Sequence, residues 1–335
     1  MTAALTTPAA PATGHTARAP RQWRWLVRLH RPALIGGGAL VLLTAAALLW
    51  LGGPLTDSSA AAWQTYKACE WGSACRYDQD AIVRFKTVYT WTTVAVLAVP
   101  FLVAAWAGGA LVGRETESGT VRLAWTQGVS PARWLASRLA LPALLAVAAA
   151  GLPAALHRWA WTAADGRVDN TKSWHVSATF HAGGTVPVGL ALAGLAAGVL
   201  AGLVLRRTLS ALVTAVAALG ALWAGVHAAL PYLWPSVTRL SALHEGPAGS
   251  GLHVREGVLT DGGGRAAAPC FNSRLSDCGD TLADLGATAF YRDFHPASHY
   301  WPLQLVATGV LLTVAALLAY AAFRVVRRTT GTARG

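Results

Sequence analysis

Two carboxylates, Glu115 and Glu117, stand among arginines in the segment GRETESGTVRLAWTQGVSPARW, residues 113–134. The chemistry open to them there is ionic contact. Leu123, Ala124 and Trp125 set an apolar patch beside them. Gly119 interrupts any helix leading in, and Ser130 followed by Pro131 is a good N-cap and first-turn pair for a helix leading out. A short amphipathic knob of this kind suits docking to a partner. An ordinary loop with a salt-bridged surface is the other reading of the same residues. Catalysis fits poorly. A membrane-embedded enzyme needs paired groups such as Ser/His or two Asp at membrane depth. The long apolar blocks of this chain hold no carboxylate and one histidine, His227. The chain also has no G-x-x-x-x-G-K-[ST] phosphate loop; the glycine-rich run Asp261–Gly264 lacks the lysine.

The four cysteines fall into two local pairs, Cys69 with Cys75 and Cys270 with Cys278. Disulfides Cys69–Cys75 and Cys270–Cys278 suit an oxidising compartment, and free thiols are the alternative. Neither pair has the C-x2–4-C spacing of a zinc site. His295 and His299, at i, i+4, could hold a metal on a helix, yet no third ligand is evident. With Tyr300 and Trp301 they read better as a juxtamembrane aromatic belt, and no metal site is expected. His227, close to Pro231, reads as an interfacial histidine; Gln304 is the other notable polar residue inside an apolar block.

Long apolar helices must position these groups. The chain has 335 residues, 54% hydrophobic and 13% charged, against about a quarter charged in a soluble domain. The apolar residues form six blocks, 33–51, 88–112, 139–156, 184–205, 209–233 and 301–323. Roughly 18 such residues cross a hydrocarbon core as a helix, and the blocks lack the alternation of barrel strands. The fold class expected is all-α: a polytopic bundle of six transmembrane helices. Pro100 predicts a kink in the second. Pro142 and Pro153 put the bounds of the third in doubt. Gly194, Gly198 and Gly202 form a doubled small-xxx-small ridge on the fourth, which permits close helix packing.

Charge predicts the orientation. Fifteen of the 27 basic residues lie before the first block, between the second and third, between the fourth and fifth (Arg206, Arg207) and after the sixth, with Glu115 and Glu117 the only acids among them. One side is net +13 and the other −1, out of a total of +12. Arginine-rich short loops stay inside, which places both termini in the cytoplasm of a multi-pass protein of the cell membrane. The basic excess reflects topology and attraction to anionic lipid; no nucleic-acid partner is expected. Residues 1–19 read as a disordered tail. Residues 20–32 read as an amphipathic interfacial helix, or as a basic flank that only anchors the first span. The membrane domain covers 33–323, with a cytoplasmic loop at 114–138 and a large outer loop at 234–300 that reads as a small irregular cap. Residues 324–335 form a basic tail.

The pattern R-E-x-E-x-G-T-x-R-L-x-x-T-Q-x-V-S-x-x-R-W, Arg114 to Trp134, resembles the loop of type-2 ABC exporter permease subunits. The six-span plan, the elbow helix and the large loop before span six are similar to that family too. Tyr291…Pro296-Ala-Ser-x-x-Trp-Pro-x-Gln304 resembles an actinobacterial-type subgroup. The resemblance implies that Glu115, Glu117, Gly119, Thr120 and Arg122 form a coupling surface for a separate cytoplasmic ABC ATPase, which binds ATP and Mg; this chain itself needs no cofactor. It also implies a second permease copy or paralogue, and export of a cargo that the charge-free spans favour as hydrophobic or amphipathic. A non-transporting membrane anchor or assembly protein, presenting its outer loops to a partner, is the alternative.

Overall fold

A computed structural model describes residues 27–69, 76–126, 129–168, 171–267 and 278–331. The tail 1–19, most of the segment 20–32, Cys75 and Cys270 lie outside the described residues. Six helices are long and apolar enough to cross a membrane: Arg31–Lys67, Gln79–Glu117, Pro131–Ala164, Val186–Leu205, Thr208–Tyr232 and Ala297–Arg328. They are spans one to six, and each contains or closely overlaps one apolar block. Several run well past their blocks, because a helix needs only backbone hydrogen bonds to continue once its side chains reach polar surroundings.

Local chemistry sets the ends. Asp78 caps span two, its side chain accepting from the Ala81 N–H at 3.0 Å. Ser130 caps span three as expected, accepting from the Arg133 N–H at 3.3 Å with Pro131 in the first turn. Span three runs over 34 residues and absorbs both Pro142 and Pro153. The charge-free block 139–156 is shorter because Arg138 and Arg158 lie beyond it. Arg158 stays helical by laying its guanidinium 4.0 Å from the Tyr300 ring centroid and 4.5 Å from that of Trp161, a cation–π arrangement. Span two continues through Pro100 and turns π-helical at Ala107–Gly113. Span one breaks at Gly53 (φ −106°, ψ −109°), just before Pro54.

Span four is the axis of the bundle. In its apolar window 72% of residues are buried, against 44% or less in the others, and it packs on spans two, three, five and six. The Gly194/Gly198/Gly202 ridge faces span two. A Cβ at Gly198 would lie 2.7 Å from Ala104 O, the Ala107 Cβ and Gly108 N; one at Gly202 would lie 2.9 Å from Gly113 N; one at Gly194, 3.1 Å from Pro100 O. The span four backbone therefore lies directly against backbone and side-chain atoms of its neighbours, with no room for a Cβ at Gly198 or Gly202. Span four ends at Arg206, the one described non-glycine residue with positive φ (52°), and a two-residue link leads into span five.

The 234–300 segment, expected as an irregular cap, holds a four-stranded antiparallel sheet. Strands β1 (Val237–Ser241), β2 (Leu252–Thr260), β3 (Arg265–Ala266) and β4 (Ala287–His295) lie in the order β1-β4-β2-β3. Val258, Phe290 and Leu282 form its small core, and Arg265–Asp293 (3.0 Å) and Arg292–Glu256 (2.8 Å) bridge across strands. The signal that reveals it is Asp261-Gly262, a turn dipeptide between short β-prone runs.

Candidate functional site at the arginine-rich end

Within 113–134, the last turn of span two, Arg114–Glu117, leads through a hinge at Gly119 into a short helix, Thr120–Thr126, and span three begins at Pro131. Gly119 has φ +72°, a left-handed conformation that glycine adopts without cost and that ends a helix. The short helix sits on the bundle through Val121 and Trp125. Val121 is buried with Trp134, Leu135, Val199 and Val326, and the Trp125 and Trp134 rings meet edge to face, centroids 6.2 Å apart. Its outer face shows Arg122 and Leu123, the latter 59% exposed. Gly119 and Thr120 are exposed beside them. Residues 127 and 128 lie outside the described residues.

Both glutamates are engaged within the chain. Glu115 receives Arg138 Nη2 at 2.5 Å, Arg138 Nε at 3.3 Å and Trp134 Nε1 at 3.2 Å, all from span three. The two charged side chains are only 13–14% exposed. Glu117 accepts from the Thr208 backbone N–H at 2.8 Å and from the Thr208 hydroxyl, at the start of span five. Between them, Thr116 Oγ1 lies 3.0 Å from Gly202 O of span four and shares its one proton between that oxygen and Val112 O (3.0 Å) and Gly113 O (2.9 Å) of its own helix. Of the five residues expected to form one surface, Gly119, Thr120 and Arg122 thus lie together facing outward, while the carboxylates of Glu115 and Glu117 bind the spans behind them.

The same end holds His30, a residue of the segment expected as an interfacial helix. His30, 6% exposed, accepts at Nδ1 from Trp106 Nε1 at 3.3 Å. Burial first, and then the charges of Arg138 and Arg114, hold its pKa below the ordinary histidine value. A neutral ring is what the Trp106 bond requires.

At the other end of the bundle a second cluster forms that no spacing announced. His181 is fully buried on the short helix Ser177–Ala182, its Nδ1 2.8 Å from Ser177 O and its ring 5.1 Å from Trp223 and 5.8 Å from His227. Burial pushes His181 down to about 4. His227 itself is exposed and stacked on Trp223. His295 lies 3.1 Å from Pro231 O and 3.1 Å from His299 Nδ1, so the histidine pair ties the last strand to the end of span five.

Two apolar grooves open on the bundle. One, of about 710 Å³, is floored by span four (Ala197, Ala201) and walled by spans five (Ala218, Leu222) and six (Val310, Leu311). Another, of about 590 Å³, lies between spans one, two and three.

Six helices long and apolar enough to cross a membrane, packed around a glycine-ridged axis with an amphipathic knob at their arginine-rich end, define a multi-pass membrane protein. The chain belongs to the ABC-2 membrane transporter related family, which it matches over residues 38–231, from span one to the end of span five. The sheet and span six lie beyond the matched residues. No curated protein and no solved structure matches the chain.

Proposed function

We propose that this chain is the permease subunit of an ATP-driven exporter, and that its energy comes from a separate cytoplasmic ATPase docked on the knob at residues 118–125. The observation that carries this is the outward face made by Gly119, Thr120, Arg122 and Leu123, a cation beside an exposed leucine on a helix anchored from behind. A lone surface leucine is ordinary, so the weight falls on its standing with Arg122 in the loop whose sequence resembles the coupling loop of type-2 ABC permeases. Family membership supports a transport role, and the arginine excess at this end supports its cytoplasmic placement. The 710 Å³ groove, whose walls and floor are apolar apart from Thr214, supports a hydrophobic or amphipathic cargo. The resemblance of the 114–134 loop favours export and pairing with a second permease copy or paralogue.

The test is recovery of an ATPase with the tagged full-length chain from native membranes. Arg122→Glu with Leu123→Glu is expected to cut that recovery roughly tenfold, the loss of about 1.4 kcal/mol of contact. Equal recovery from both chains would remove the docking assignment. Failure of the wild-type chain to bring down any ATPase would favour the anchor reading, for which the folded sheet at 237–295 offers an outer platform.

A further inference from the structure

Glu115, Thr116 and Glu117 are consecutive in sequence, yet each is bound to a different span. Glu115 holds Arg138 and Trp134 of span three, Thr116 holds Gly202 O of span four, and Glu117 holds the Thr208 N–H and hydroxyl of span five. A helix turns about 100° per residue, so three successive side chains point in three directions, and here each direction meets a helix. We infer that Glu115-Thr116-Glu117 is a distribution joint, through which displacement of the knob reaches spans three, four and five together. The two glutamates are positioning residues that transmit load, and they are not contacts with the ATPase. This rests on the permease reading.

The partners of the three side chains are groups that the spans cannot fully satisfy alone. The Thr208 N–H belongs to the first turn of span five and has no intrahelical acceptor. Glu117 both accepts its bond and places a negative charge at the positive end of that helix. Gly202 O has a long 3.3 Å bond from Arg206 N in the last turn of span four, and Thr116 supplies a second, shared donor. Glu115 neutralises an Arg138 that is largely shielded from solvent, through two charge-assisted bonds. Glycine at 202 is what lets Thr116 come so near, since a Cβ there would lie 2.9 Å from Gly113 N. Releasing Glu115 leaves the shielded Arg138 without its counter-charge, while the Glu117 and Thr116 contacts lie nearer solvent and tie the knob to spans five and four through the bonds themselves. Arg122 and Leu123 project from the adjoining helix, and Gly119 is the only residue of the 113–120 stretch with positive φ. A push on the outer face is therefore delivered next to the joint.

The experiment uses the full chain with its copurifying ATPase in lipid nanodiscs. Two quantities are read: ATPase recovered per permease, and hydrolysis per bound ATPase relative to the free ATPase. Glu115→Ala, Thr116→Val and Glu117→Ala are expected to recover ATPase as wild type does. Permease-stimulated hydrolysis should fall roughly 5- to 10-fold, the lower range of coupling between sites. Two variants guard against simple misfolding. Glu117→Gln keeps an acceptor for Thr208 and should retain most stimulation, and Glu115→Arg with Arg138→Glu should restore what Glu115→Ala loses. Reduced recovery at unchanged hydrolysis per bound ATPase would make the glutamates docking contacts and overturn the joint. Unchanged hydrolysis in all three variants would reduce the contacts to scaffolding and overturn it as well. If the wild type recovers no ATPase, the permease reading itself falls, an outcome visible before any variant is made.

Discussion

Gln304 illustrates what one side chain does in this bundle. It is fully buried, accepts at Oε1 from the Thr185 and Val186 N–H groups at 3.0 and 3.1 Å, and donates from Nε2 to Phe180 O at 2.7 Å. It thus closes the first turn of span four and the end of the short helix before it, positions whose backbone groups have no helical partner. Tyr300 packs against the same turn, where Gly183 and Gly184 leave no room for a Cβ beside its hydroxyl. Gln304→Leu removes all three bonds while keeping the volume. It is expected to destabilise the protein by about 2–3 kcal/mol, since orphaned buried groups cost about 1–3 kcal/mol each and do not add fully. A denaturant midpoint in detergent measures this, and a loss below about 0.5 kcal/mol would mean the three groups find other partners. The sequence marks Gln304 as polar in an apolar block; its partners, about 120 positions away, leave no trace in spacing. Glu115 repeats the lesson. Its sign and its basic neighbours are legible, but which arginine it pairs with depends on the return of span three, which brings Arg138 to it.

Among the elements, span four decides the packing. Its glycine ridge is readable as a periodicity of four, and the three positions lie close against span two. What only the fold supplies is the facing element, the stretch from Pro100 to Gly113 of span two, which includes the π-helical turn Ala107–Gly113. Because the contacts differ, the three positions should not respond alike. Gly198→Ala puts a methyl 2.7 Å from backbone atoms and should cost most, Gly202→Ala (2.9 Å) less, and Gly194→Ala (3.1 Å) least. Overpacking of this size costs about 1–3 kcal/mol. Thermal midpoints of the three single variants should fall in that order, and a reversed order would place the tight contact elsewhere. The sheet at 237–295 was less legible. Its strand β4 pairs with β1 and β2, with Val237 opposite Phe294 at the far extreme, and such pairing depends on partners that local pattern does not name.

On the scale of the whole molecule, orientation is the claim that everything functional depends on. Leu123→Cys, on the exposed knob, should react with an impermeant maleimide only in inside-out vesicles. Gly262→Cys, at the exposed hairpin turn of the sheet, should react only in right-side-out cells. The same assay tests the bridges Cys69–Cys75 and Cys270–Cys278 expected from the sequence: if both form, the four native cysteines stay unlabelled until a reductant is added. Labelling of Leu123→Cys from outside would invert the topology and take the ATPase partnership with it. Labelling of native cysteines without reductant would remove the bridges alone.

By itself the sequence determined the six spans, their number and approximate limits, the glycine ridge, the hinge at Gly119 and the cap at Ser130. Each of these follows from hydropathy or from interactions within a few residues, which the order of residues states directly. Tertiary structure alone decided that span four is central, that the 234–300 segment pairs into a sheet, and that Glu115, Thr116 and Glu117 divide among three spans. Those outcomes depend on which distant side chains and backbone groups come within packing and hydrogen-bonding reach when the helices assemble, a property of the folded arrangement that no single stretch of chain contains.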